Sequence, residues 1–212
     1  MICISIAEPT LELIFQAIGN EELAEIRLDL INLSEKEIKT LFSQNIKLIA
    51  TCRPCKYSDT KRKENLKNSI KAGASYVDIE LEASDDFKTE IATLAKKKSC
   101  KVIISYHNYD NTPLKRELDQ VIDWCFKSGA DIAKIVCKVN HISDNARLLS
   151  LYEPDKEIIA FGLGLKAKIT RIAAPFLGAP FTYASISAGK ETADGQINKT
   201  TLAKLLEMLK NV

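Results

Sequence analysis

Eight apolar, β-branched runs recur along the chain at a near-constant interval, and this repeat restricts the fold more than any other feature. They occupy residues 2–7, 24–30, 47–53, 76–81, 101–107, 132–139, 157–162 and 181–186, with start-to-start spacings of 22 to 31 residues. Between the runs, apolar positions switch to a helical period. Leu11, Ile14, Phe15 and Ile18 follow it, as do Leu118, Val121, Ile122 and Cys125, and then Leu202, Leu205, Leu206 and Leu209. Ser34 and Glu37 have the spacing of a capping box ahead of another such segment. Several runs are apolar on both faces, as parallel strands covered by helices must be. An α/β chain of eight strand–helix units is predicted, a small (β/α)8 barrel (TIM barrel) with residues 1–212 as a single domain. The rival is an open doubly wound sheet.

The placement of charge favours the barrel. Ionisable residues sit toward the C-terminal ends of the runs: Glu25, Arg27 and Asp29, then Arg53, Asp78 and Glu80, His107 and Lys134. Neighbours within a run are two apart and so share one face of a strand. Charges inside apolar strands are costly unless they face one another or a polar cavity. An open sheet cannot aim five successive strands at one point, whereas a closed barrel gathers them at its C-terminal mouth, where such enzymes work.

Composition removes several other classes. Thirty basic against 28 acidic residues leave a net charge of +2, with the signs mixed along the chain. The basic stretches Lys61-Arg62-Lys63 and Lys96-Lys97-Lys98 read as solvated helix faces, so no nucleic-acid partner is expected. No apolar run approaches the roughly 18 residues of a membrane span, and the apolar N-terminus lacks a preceding basic segment and is interrupted by Glu8-Pro9. Neither a membrane partner nor a signal peptide is expected. Six scattered cysteines in a chain of this length read as reduced thiols and a cytoplasmic location. The one C-x-x-C, Cys52 to Cys55, ends a strand instead of opening a helix and has no second pair to complete a zinc site. No metal is expected there.

Two side chains carry candidate chemistry. Lys134 lies mid-strand in Ile132-Ala133-Lys134-Ile135-Val136, where its stem has nowhere to snorkel. An amine held in a pocket is the better reading, and desolvation frees such an amine to attack a carbonyl. His107 closes the fifth run, one strand away. It is either a hydrogen-bonded structural residue or a general acid–base group, with Asp78 or Glu80 on the preceding strand to orient its ring. His141, the other histidine, falls in a polar turn.

Seven segments in order resemble one enzyme family, type I 3-dehydroquinate dehydratase. They are Glu25-Ile26-Arg27-Leu28-Asp29, Thr51-Cys52-Arg53-Pro54, Tyr76-Val77-Asp78-Ile79-Glu80-Leu81, Ser105-Tyr106-His107-Asn108-Tyr109, Asp131-Ile132-Ala133-Lys134-Ile135, Ile169-Thr170-Arg171 and Ala193-Asp194-Gly195-Gln196. The resemblance implies dehydration of 3-dehydroquinate to 3-dehydroshikimate in the shikimate pathway, on a (β/α)8 barrel, without metal or cofactor. It makes Lys134 the Schiff-base lysine and His107 the base that takes a proton and then assists loss of water. Arg171 matches the arginine that binds the substrate carboxylate. Glu25, Arg27 and Arg53 match positions around the hydroxyls and the reacting centre, Thr192 and Gln196 lie on the closing loop, and Ser5 is a weaker match. A homodimer is compatible with the family.

Two places depart from the pattern. Four residues after Arg53 the family carries a glutamate followed by two glycines, and that glutamate helps to steer the histidine. Tyr57-Ser58-Asp59 stand there instead, so Asp78, Glu80 or Asp59 is expected to compensate. Asp194 replaces a family proline, which predicts a less pre-formed closing loop. The competing functions are a class I aldolase, using Gly162-Leu163-Gly164 in a phosphate site, and a catalytically weakened ligand-binding barrel.

Overall fold

In the computed structural model, which describes residues 1–153 and 155–211, strands and helices alternate along the chain. The strands are β1 (Ile2–Ile6), β2 (Leu23–Arg27), β3 (Lys47–Thr51), β4 (Tyr76–Glu80), β5 (Lys101–Asn108), β6 (Ile132–Lys138), β7 (Ile158–Leu163) and β8 (Thr182–Ser185). The helices are α1 (Leu11–Ile18), α2 (Glu35–Phe42), α3 (Asp59–Ala72), α4 (Asp85–Lys97), α5 (Lys115–Lys127), α6 (Ile142–Leu149), α7 (Lys168–Ala173) and α8 (Lys199–Lys210). All paired strands are parallel, and their order is β7-β6-β5-β4-β3-β2-β1-β8. Sequential neighbours with β1 lying between β2 and β8 are the order of a (β/α)8 barrel, which excludes the open doubly wound sheet.

The expected helical stripes face inward except at the end of α8, where Leu209 is 52% exposed because the last turn extends past the barrel. Ile14 and Ile18, Leu118, Val121, Ile122 and Cys125, and Leu202 and Leu206 are buried. The Ser34–Glu37 capping box forms, with the hydroxyl and the carboxylate each satisfying the other's backbone N–H. β2 and β3 are shorter than their apolar runs, so Asp29 and Arg53 come just past the strand ends. Inside the barrel, Cys3, Leu23, Ile49, Ile103, Ile132, Ile159 and Phe181 form an apolar plug. A larger apolar layer lies between the strands and the helices.

Among the described residues no ladder joins β7 to β8. Aromatic packing fills that seam, with Phe161 of β7 against Tyr183 of β8 at 5.8 Å and Phe181 edge-on to Tyr183 at 5.5 Å. No helix among the described residues is long and apolar enough to cross a membrane. All six cysteines are free, and all but Cys55 are buried.

Candidate active site

Above the apolar plug the inward positions turn polar. The register sets Ser5 beside Glu25, Thr51 beside Asp78, Glu80 beside Ser105 and Ser105 beside Lys134. At this level lies a cavity of about 50 Å³ whose lining includes Glu25, Arg27, Arg53, His107, Lys134, Arg171, Tyr183, Thr192 and Gln196. Ser5 is fully buried beneath the closing loop and donates to Glu25.

Lys134 is 4% exposed and its ammonium has two carboxylates in reach. Nζ donates to Asp78 Oδ2 at 2.9 Å and stands 3.7 Å from Glu25 Oε1. Glu25 is in turn held by the hydroxyls of Ser5 and Thr51. Asp78 also accepts from Arg53 Nη2 at 2.9 Å and from Ser105 Oγ at 2.6 Å. Burial alone would raise the Asp78 carboxyl, but Arg53, Lys134 and the Ser105 hydroxyl outweigh it and hold the group far below the usual carboxylate range.

His107 is different. Among the described residues its imidazole makes no hydrogen bond; its one aromatic neighbour is Tyr109, stacked at 6.0 Å. Burial, and then the cations Arg53 and Lys134, push its pKa well below the ordinary histidine value, with Asp78 opposing through space. The ring is therefore uncharged at neutral pH, which suits a proton acceptor.

Arg171 is fully buried, and among the described residues none of Nε, Nη1 and Nη2 has a hydrogen-bond partner. Its guanidinium lies 4.2 Å from the Phe161 ring centroid. Burial lowers its pKa to about 10, opposed weakly by Asp194. An unpaired buried guanidinium on a cavity wall is a receptor for an anion, and a carboxylate fits its forked donors. Arg27, by contrast, is already engaged by Asp29 through two bonds of 3.1 and 2.6 Å, and donates from Nη1 to the Thr192 carbonyl at 3.2 Å.

Residues 192–196 close over the mouth. Thr192 Oγ1 donates to Ser5 Oγ at 2.8 Å, and Gln196 Oε1 accepts from the Thr192 N–H at 2.8 Å. The family model for type I 3-dehydroquinases matches residues 2–212. The chain belongs to that family. A 3-dehydroquinate dehydratase of Methanococcus vannielii is 34% identical over 99% of this chain and 100% of the relative. Another, of Dehalococcoides mccartyi, is 33% identical over 89% of this chain and 85% of the relative. Among solved structures, the 3-dehydroquinate dehydratase of Aquifex aeolicus superposes with a TM-score of 0.84 at 26% identity, covering 100% of both chains.

Against the family pattern, the expected support for His107 is not where the sequence puts it. Neither Asp78 nor Glu80 bonds to the ring. Asp78 is taken by Lys134, Arg53 and Ser105; Glu80 accepts from Arg53 Nη1 at 2.8 Å and from Arg62. Asp59 pairs with Arg62, and the Tyr57 hydroxyl donates to the Ile31 carbonyl at 2.8 Å. All these carboxylates point at cations because a guanidinium or ammonium satisfies a buried carboxylate better than a neutral imidazole. Asp194 is not simply a loosened proline either, since its carboxylate accepts from Lys138 Nζ at 2.9 Å and ties the loop to the end of β6.

Sequence reasoning missed several members. Arg62, read as part of a solvated basic face, is 2% exposed and donates to Glu80 and to the Cys52 carbonyl. Ser105 and Thr51 were legible in principle, being two residues before His107 and two before Arg53. Tyr183 had no signal beyond an ordinary strand aromatic.

Proposed function

We propose that this protein dehydrates 3-dehydroquinate to 3-dehydroshikimate through a Schiff base on Lys134, with His107 as general acid–base, in the shikimate pathway of aromatic amino-acid biosynthesis. One observation carries the reading. A single cavity presents a buried amine, an uncharged imidazole on the adjacent strand and a guanidinium with no internal partner. A small keto acid bearing a β-hydroxyl needs those three groups. The names of the related dehydratases support the same substrate.

The steps follow from the groups. Arg171 takes the substrate carboxylate, which places the ketone over Lys134. The nitrogen bonds to the ketone carbon, and the carbonyl oxygen leaves as water with two of the ammonium's three hydrogens. The protonated imine that results acidifies the neighbouring C–H. Neutral His107 takes that proton, and the C–H electron pair becomes an enamine double bond. The enamine expels the β-hydroxyl, to which His107 returns its proton, so that a second water departs. A water molecule then adds to the imine carbon, releasing product and restoring the amine. Asp78 and Glu25 stabilise the positive nitrogen before the imine forms and Asp78 continues to do so afterwards, and Arg53 neutralises Asp78 so that two carboxylates can sit close together.

A cytoplasmic enzyme is supported by six free thiols, and a homodimer by the exposed apolar Leu165 and Ile169 at the start of the segment that follows β7. The deciding experiment is borohydride reduction in the presence of 3-dehydroquinate, followed by mass mapping. We expect one reduced adduct, on Lys134, and its loss together with all turnover in Lys134→Ala. An adduct on another lysine, or undiminished turnover in the variant, would remove the reading; binding without any turnover would favour the weakened ligand-binding barrel.

A further inference from the structure

Lys134 faces an aromatic ring as well as its carboxylates. Nζ lies 4.2 Å from the centroid of Tyr183, on the β8 strand that closes the barrel. The ring is 2% exposed and is held from two sides by Phe161 and Phe181. Tyr183 also belongs to the cavity lining, and its buried hydroxyl has no hydrogen-bond partner. A ring face this close to a desolvated cation attracts it through its quadrupole.

We infer that Tyr183 is a further catalytic residue, whose ring face stabilises the cationic imine formed on Lys134. The inference rests on the Schiff-base reading above and says which group favours the intermediate. The physical reason is a change in hydrogen-bond capacity at nitrogen. The ammonium has three N–H donors and can satisfy Asp78 and Glu25 together. The imine keeps a single N–H, which the Asp78 bond uses, so Glu25, 3.7 Å away, is left with no donor to approach while the positive charge remains and spreads over the planar C=N group. Attraction to a ring face needs no N–H, so it survives the conversion. The Glu25 contact weakens as the imine forms; the aromatic contact does not. That difference is the condition for stabilising an intermediate relative to what precedes it.

The test uses the full chain, 3-dehydroquinate and borohydride. In Tyr183→Leu, which keeps an apolar side chain but removes the ring, we expect the trapped fraction of Lys134 and kcat to fall about tenfold or more. Tyr183→Phe restores the ring and should recover most of both, and removing a hydroxyl that bonds to nothing leaves no partner unsatisfied. Because Tyr183→Leu can perturb the seam between β7 and β8, fluorinated phenylalanines placed at position 183 supply a second measurement. Successive fluorines drain the ring face of negative potential at nearly constant shape, so the trapped fraction should fall stepwise with fluorine number. A fluorination series with no trend, or Tyr183→Phe as impaired as Tyr183→Leu, overturns the role of the ring. Wild-type protein that fails to trap at Lys134 strikes the Schiff-base reading itself, and this inference falls with it.

Discussion

At the scale of single residues, the site is a set of buried charges in unequal states of satisfaction. Lys134 and Arg53 share the Asp78 carboxylate, Arg27 is clamped by Asp29, and the Arg171 guanidinium has no hydrogen-bond partner among the described residues. A buried donor without an acceptor costs about 1–3 kcal/mol, and more when charged. Arg171→Met should therefore raise thermal stability, by at least about 2–4 °C for a domain of this size, while weakening substrate affinity by about 2–5 kcal/mol. Calorimetric melting and substrate titration check the two halves; a variant that loses both stability and affinity would mean the guanidinium is satisfied in the free protein. His107 is expected to behave differently. Imine formation needs no base on β5, so His107→Ala should still trap substrate on Lys134 but turn over about 10²–10⁴-fold more slowly. A loss below tenfold in steady-state assays would return His107 to a structural role.

At the scale of elements, the segment between β8 and α8 governs access. It is pinned to three other units, through Ser5 on β1, Arg27 on β2 and Lys138 on β6. Gly195 makes the turn possible. Its φ is +77°, and a Cβ there would stand 2.4 Å from the Gly164 carbonyl oxygen. The cavity is far smaller than the roughly 300 Å³ at the lower end of ligand pockets, so the loop is expected to lift as substrate enters. The Lys138–Asp194 pair is half-exposed, which caps its value at about 1 kcal/mol and makes it salt-sensitive. Asp194→Ala should raise KM by up to about fivefold at low ionic strength and leave kcat nearly unchanged. The gap between variant and wild type should close as salt is added. A gap that persists at high salt would show that Asp194 acts through backbone shape and not through charge.

At the scale of the whole molecule, the buried site makes folding depend on pH in one direction. His107 has a folded pKa below its unfolded value, so the unfolded chain binds a proton that the folded chain refuses. Its contribution is present in full above the unfolded pKa of about 6.5 and is lost as pH falls below it. Asp78 and Asp29, also depressed, add a second loss that begins near the unfolded carboxyl pKa of about 4 and continues downward. The urea midpoint should thus drop in two stages on acidification from pH 8, and His107→Gln should abolish the first stage and leave the second. A midpoint flat between pH 8 and 5 in the wild type would refute the buried, uncharged imidazole.

Much of this was legible from the residues in order. The eight-fold interval, the two-residue spacing of Glu25, Arg27 and Asp29, and a lysine hemmed by aliphatics are local patterns, and period-two alternation carries their direction directly into a barrel interior. What the sequence by itself determined was the alternation of strands and helices, the inward faces, and the types of group that meet at the mouth. Which group bonds to which was decided only by tertiary structure. Arg62 reads as one of three consecutive cations, yet the rotation of α3 turns it alone inward to Glu80 while Lys61 and Lys63 stay outside. Asp78 meets Lys134 across an intervening strand, Asp194 meets Lys138 across the mouth, and Tyr183 on β8 meets Lys134 on β6 because barrel closure turns both strands toward one interior. Such partners are 49 to 56 positions apart in sequence, and local periodicity fixes a side chain's face without fixing the depth, register and closure that bring two faces together.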